Sequence, residues 1–272
     1  FFFKLKTAYE IRPRDWSSDV CSSDLLAGVY AQAGATLVLA ARDADRLDAA
    51  VHDLRRGNAA VCGVPTDVTD DQQVSALVAR TVSQFGRIDV LVNNAGRSTR
   101  GRVVDTTPEQ FQELLELNFL STVRCTRAAL PHLIASRGHL VNVGSLAAKT
   151  VTRYLGAYPA SKFPVAAYSQ QLRLELKAEG VHVLLVCPGP IAREDAGQRY
   201  AAEAADLPDS AKRPGGGVRI RGLDPLVVSR RILKACESRR PELILPAKAR
   251  WLLAIAAISP RLGDWIVDRM TR

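Results

Sequence analysis

Tyr158-Pro159-Ala160-Ser161-Lys162 sets a phenol and an ammonium four residues apart. On a helix that spacing puts both side chains on one face. A free tyrosine, with a pKa of about 10, is a poor acid or base at neutral pH. A lysine cation beside it favours the phenolate and brings the group toward the range where proton transfer is useful. The pair alone also fits an ordinary helix surface, so its meaning depends on its surroundings. Ser145 follows the apolar run 139–144, Asn93-Asn94-Ala95-Gly96 closes the run 88–93, and Pro188-Gly189 closes the run 181–187. Ligands of open α/β sheets bind outside the carboxyl ends of the strands. Each of these segments alone reads as a turn. Three strand ends with small or polar residues, and Tyr158 on the helix after the middle one, describe one site.

The elements that must position these residues follow from hydrophobic patterning. Apolar runs rich in Val, Ile and Leu predict strands over 36–41, 60–64, 88–93, 139–144, 181–187 and 242–245. Their lack of polar alternation suits strands buried on both faces. Helices are predicted over 26–33, 43–55, 70–85, 108–136, 158–178 and 225–237. Alternation of β and α at this spacing predicts an α/β fold with a parallel sheet covered on both faces. Residues 192–223, with Pro208, Pro214 and Gly215-Gly216-Gly217, predict a long mobile insertion suited to a substrate lid. Residues 248–272 read as two short helices separated by Pro260.

Together these residues resemble the short-chain dehydrogenase/reductase family over nearly all of 26–245. The resemblance implies a Rossmann-like doubly wound parallel sheet and a nicotinamide-dependent oxidoreductase acting on a carbonyl/alcohol pair. By that likeness Tyr158 is the general acid/base and Ser145 stabilises charge developing on the substrate oxygen. Lys162 lowers the Tyr158 pKa and holds the nicotinamide ribose, and Asn118, in Leu117-Asn118-Phe119, anchors a water and the proton relay. Asp67-Val68 matches the pair that holds the adenine. Asn94, Ala95 and Gly96 line the cofactor, as do Pro188, Gly189 and the backbone of Ile191. NAD-using members usually end the second strand with an acid; here Ala41 stands there and Arg42 follows. A guanidinium pairs with a 2′-phosphate, which favours NADP(H), with NAD(H) as the alternative. A non-catalytic dinucleotide sensor on the same fold is the rival reading, since fold alone does not fix function.

Three departures stand out. Arg193 replaces a frequent cofactor-contacting threonine, and Pro164 lies inside the catalytic helix, where it removes a hydrogen bond and predicts an adjusted helix. The third is larger. The family's glycine-rich turn brings backbone N–H groups to the pyrophosphate, yet residues 16–23 read Trp-Ser-Ser-Asp-Val-Cys-Ser-Ser. Residues 1–25 as a whole resemble a translated sequencing adapter rather than native protein. The first strand and glycine loop are thus expected to be missing or replaced, and the chain as written to bind cofactor poorly. The native units are then 26–247, the dinucleotide-binding oxidoreductase domain, and 248–272, a helical tail.

Bulk properties fit this reading. The 272 residues are 47% hydrophobic and carry a formal charge of +9. That composition suits one folded domain with a sizeable core and argues against disorder. Basic and acidic residues are interspersed outside 212–221, so a solvated surface is favoured over nucleic-acid binding. Five scattered cysteines suggest neither a disulfide framework nor a metal site, and a cytoplasmic, reducing compartment is expected. The apolar stretch 251–258 is too short to span a bilayer. It is expected to pack at a pocket or a subunit contact of a homo-oligomer, with a peripheral membrane contact as the other reading.

Overall fold

Four helix starts among the described residues are marked by side chains that satisfy the first free N–H groups. Asp43 accepts from the backbone N of Arg46, Asp70 from Gln72 and Gln73, and Asp224 from Leu226 and Val227. Thr107 and Gln110 form a capping box with Pro108 at the first turn. The computed structural model describes residues 6–10, 23–57, 59–192, 198, 200–218 and 222–271. Its order begins β1 (Lys6–Glu10), α1 (Ser23–Gln32), β2 (Thr36–Ala41), α2 (Ala44–Arg56), β3 (Val61–Pro65), α3 (Asp71–Phe85) and β4 (Val90–Asn93). Next come α4 (Pro108–Leu115), α5 (Ser121–Ser136), β5 (His139–Val143), α6 (Tyr158–Glu175), β6 (His182–Pro188) and α7 (Asp209–Lys212). The chain closes with α8 (Pro225–Glu237), β7 (Glu242–Leu245), α9 (Ala249–Ile258) and α10 (Pro260–Thr271).

The seven strands form one parallel sheet in the order β3-β2-β1-β4-β5-β6-β7. Successive side chains on a strand point to opposite faces, and the two cores follow from that. Val90 and Val92, Val141 and Val143, and Leu184 and Val186 share one cluster with α1, α2 and α8. Leu91, Leu140 and Val183 point the other way, to α3, α5 and α6. The expected doubly wound α/β sheet is what the chain forms.

Three details differ from the pattern-based expectation. Of the two alternatives for the first strand, replacement holds: Lys6–Glu10 pairs with Thr36–Ala40 on one side and Val90–Val92 on the other. β2 and β4 would otherwise face a gap with unpaired backbone groups on both edges. The stretch expected as one helix over 108–136 is divided by a π-helical turn, Glu116–Leu120. The insertion expected to be mobile contains the short helix α7 and a turn at Pro214–Gly217. Gly216 there has φ +65, and a Cβ would lie 2.4 Å from the Arg153 carbonyl oxygen, so only glycine fits. Pro164 leaves α6 continuous over its 18 residues.

At the opposite edge of the sheet from the strand carboxyl ends, His139 and His182 lie in register on β5 and β6, with Nδ1 atoms 2.9 Å apart. His182 Nε2 lies 2.7 Å from the Arg240 carbonyl, which can only accept, so that nitrogen carries a hydrogen. The neutral His182 Nδ1 then accepts from His139 Nδ1–H, and a proton placed on His182 Nδ1 would remove that acceptor. Burial first, then the charges of His182 and Arg239, push His139 down from 6.5 to about 4. The unfolded chain therefore takes up this proton before the folded one. The His139 contribution to stability is full above pH 6.5 and is lost toward about pH 4, with a slope of up to about 1.4 kcal/mol per pH unit. Urea titrations across this window are expected to show the slope, and His139→Phe to flatten it.

Candidate active site

β4 ends at Asn93, and the chain then turns through Asn94, Ala95 and Gly96 at the carboxyl edge of the sheet. A Cβ on Gly96 would sit 2.8 Å from both Asn118 Oδ1 and Lys162 Nζ. The backbone of Gly96 is thus pressed between two of the proposed catalytic side chains. Asn118 reaches this point from the π-helical turn between α4 and α5, a widening often found at functional sites. Its Oδ1 accepts from the Arg97 N–H at 2.8 Å, and its Nδ2 donates to the Arg97 carbonyl at 2.9 Å and to Ser161 Oγ at 2.8 Å. Ser161 Oγ donates in turn to the Tyr158 carbonyl at 2.7 Å. Asn118 is therefore a clasp joining the segment after β4 to the first turn of α6.

Lys162 is fully buried, and Nζ donates to the Val143 carbonyl at 3.2 Å, two residues before Ser145. A buried ammonium persists only where such partners replace water. Tyr158, 4% exposed, packs with Ala147 and Leu155. Ala147 belongs to the turn that Ser145 caps, its N–H donating to Ser145 Oγ at 3.1 Å. Lys162 and Tyr158 therefore flank the Ser145 turn. Gly96, Asn118 and Lys162 meet directly, and Tyr158 packs against the turn that Ser145 caps.

The remaining proposed cofactor residues spread along the same edge. Pro188 ends β6, and the Gly189 N–H donates to Leu245. Ile191 is buried and pairs with Leu223. Arg193 and residues 16–22 of the glycine-poor segment lie outside the described residues. On the far half of the sheet, Arg42 NH1 stands 3.6 Å from Asp67 Oδ2, with 41% of the arginine side chain exposed. Asp67 Oδ1 also accepts from the N–H and hydroxyl of Thr69 at 2.9 and 2.7 Å. Val68 is buried beside them. Cys187, near the Ser145 turn, is pushed up to about 12, chiefly by burial, and offers no thiolate. Among the described residues no cluster of His, Cys, Asp or Glu is arranged to hold a metal ion.

Several residues that shape the site carry no motif. Arg97 contributes its backbone, and Ser161 was recognisable only as the residue one turn after Tyr158. Asn93 Nδ2 donates to Thr126 and Asn142, and Asn142 to Ser169, a buried polar chain fastening β4 and β5 to α5 and α6. Arg100 is buried under the insertion: its Nε donates to the Ala211 carbonyl at 2.8 Å, and its guanidinium lies 3.5 Å from the Tyr200 ring centre. Its backbone N–H donates to Glu203 at 2.7 Å. The described part of the insertion is thus docked on the segment after β4. Lys212 of the basic stretch pairs locally with Asp209.

Gly96→Ala is expected to lower turnover by roughly 10- to 100-fold and stability by about 1–3 kcal/mol, because the new methyl displaces Lys162 or the clasped Asn118. Thermal unfolding and steady-state kinetics read both effects.

Comparison with known proteins bears on the family and the fold. The family model described as short chain dehydrogenase matches residues 24–204. Dehydrogenase/reductase SDR family member 7B of Bos taurus is 30% identical over 241 residues, covering 85% of this chain and 73% of that protein. The uncharacterized oxidoreductase YxnA of Bacillus subtilis is 31% identical over 248 residues, 90% of this chain and 67% of its own length. Two solved structures share the fold. One is a short chain dehydrogenase/reductase from Burkholderia phymatum in complex with NAD (23% identity, 96% of each chain, TM-score 0.79). The other is L-sorbose reductase from Gluconobacter frateurii with NADPH and L-sorbose (24% identity, 90% of this chain and 96% of that one, TM-score 0.75). The chain belongs to the short-chain dehydrogenase/reductase family. It is an oxidoreductase of that family.

Proposed function

We propose that this chain interconverts a carbonyl compound and its alcohol, with NADP(H) as the favoured partner and Tyr158 as the acid/base. The observation that carries this reading is the convergence of Gly96, Asn118 and Lys162 beside the Ser145 turn against which Tyr158 packs. The residues suit a nicotinamide cofactor at two ends. Lys162 and residues 94–96 form its nicotinamide end, with the backbone of Ile191 beside them. Arg42, partly exposed at the end of β2, with Asp67 and Val68 after β3, forms its adenosine end. A bound nicotinamide supplies or accepts the hydride. In the reducing direction the Tyr158 phenol gives its proton to the carbonyl oxygen, and Ser145 donates a hydrogen bond to that oxygen as charge develops on it. The Lys162 ammonium stabilises the phenolate left on Tyr158. In the oxidising direction the same groups take the hydroxyl proton.

Arg42 supports NADP(H) through charge: a 2′-phosphate competes for the guanidinium now facing Asp67. Arg42→Ala is expected to weaken NADPH binding by roughly 10- to 100-fold and leave NADH within about twofold, the range of one or two charge-assisted hydrogen bonds. Equal losses for both cofactors would oppose this assignment. The glycine-free residues 16–23 limit the chain as written. Restoring a strand and a Thr-Gly-x-x-x-Gly-x-Gly turn is expected to tighten NADPH roughly a hundredfold or more, through hydrogen bonds to the pyrophosphate. The test is fluorescence titration of both chains with NADPH, followed by turnover on a broad carbonyl panel. Tight binding and turnover by the chain as written would overturn the limit set by the missing turn. Tight binding by the restored chain with no carbonyl reduced would overturn the catalytic reading.

A further inference from the structure

We propose that the paired helices α9 and α10 form a docking surface for an anionic lipid bilayer. Their inner side is fixed to the body. Ala249 and Leu253 pack against the cluster of Val165, Leu185 and Ile244. The helices cross so closely that a Cβ on Gly263 would lie 2.6 Å from the Ala256 Cβ. Asp268 of α10 is ion-paired with Arg153, in the segment between Ser145 and Tyr158. The outer side is left apolar: Trp251 is 76% exposed, Ile258 85% and Trp265 58%, with Leu262 also exposed. Trp251, Ala254 and Ile258 repeat at three and four residues, so they share one face of α9, and Leu262 and Trp265 do the same on α10.

Charge selects the occupant. Exposed Lys248 and Arg250 precede this face on α9, Arg261 stands at the turn between the helices, and Arg269 lies beside Trp265, 5.7 Å from its ring centre. Of the two acids on the helices, Asp268 is engaged by Arg153 and only Asp264 is exposed. A second copy apposed through this face would bring two cationic rims together, which opposes association. An anionic headgroup layer meets the rim with opposite charge and offers the tryptophans the interfacial position they favour. Helices of ten and twelve residues lie along an interface rather than span it.

The full chain is sedimented with vesicles of phosphatidylcholine alone or with about 30% phosphatidylglycerol, at low salt and at about 0.3 M salt. The expected result is at least tenfold tighter binding to the anionic vesicles, lost on raising salt, with tryptophan emission quenched by brominated acyl chains. The exposed pair Trp251→Ser and Trp265→Ser, changed together, is expected to lose binding at least tenfold and to lose the quenching. Equal binding to both vesicle types, or unchanged binding by the double variant, would overturn the proposal. So would vesicle-free behaviour as a dimer that the double variant converts to monomer, because that assigns the face to a second copy.

Discussion

Tyr158→Phe is expected to lower kcat for carbonyl reduction by about 10³- to 10⁴-fold, measured in the chain carrying a restored glycine turn. NADPH affinity is expected to stay within about twofold. The reasoning rests on what the substitution removes. The Tyr158 ring packs with Ala147 and Leu155 and is almost fully buried, so phenylalanine keeps that packing and loses only the hydroxyl. The Asn118–Ser161 clasp engages the Tyr158 backbone carbonyl, not its side chain, so α6 stays in place. A loss confined to kcat is the signature of a group that acts in the transition state. Thermal unfolding within a few degrees of the parent would exclude a folding defect.

Lys162→Met is the second large effect, and its pattern differs. The ammonium is fully buried, with Val143 O as an acceptor at 3.2 Å. Replacing it with an apolar side chain of similar length removes a desolvated charge, so stability is expected to hold or rise. Activity is expected to fall by roughly 10²- to 10³-fold, and the pH at which the Tyr158 proton is lost to move upward, because the cation that favours the phenolate is gone. NADPH affinity is expected to fall as well, since the same ammonium is assigned to the nicotinamide ribose. A pH–rate profile from pH 6 to 10 and a binding titration read these separately. A profile that keeps its position would assign Lys162 to structure alone.

The sequence showed some of these elements closely and others not at all, for physical reasons. β2, β7 and α8 lie where patterning places them, because strand ends and caps are local events: Asp224 and Pro225 start α8 by their own chemistry. Lys6–Glu10 has no such signal. Its place between β2 and β4 depends on backbone pairing with strands that follow roughly 30 and 80 residues later. The π-turn at Glu116–Leu120 was invisible within an unbroken helical pattern, yet it carries Asn118 to Arg97 and Ser161. Tyr158 and Lys162 were legible because four residues is one helical turn. Gly96, pressed between Lys162 and Asn118, was legible only as a turn glycine, and Arg100 not at all, since Glu203 and Ala211, which tie it to the insertion, lie more than 100 residues away.

The most direct test of the central claim follows an atom. The restored chain is incubated with NADPH bearing deuterium in the transferable position and a panel of carbonyl compounds, and the alcohols are weighed by mass spectrometry. The expected result is an alcohol one mass unit heavier, labelled at the former carbonyl carbon, formed by the parent and reduced to background by Tyr158→Phe. NADPH binding with no labelled alcohol from any compound would contradict the account and leave a dinucleotide sensor, and labelled alcohol formed equally by Tyr158→Phe would remove Tyr158 from the chemistry.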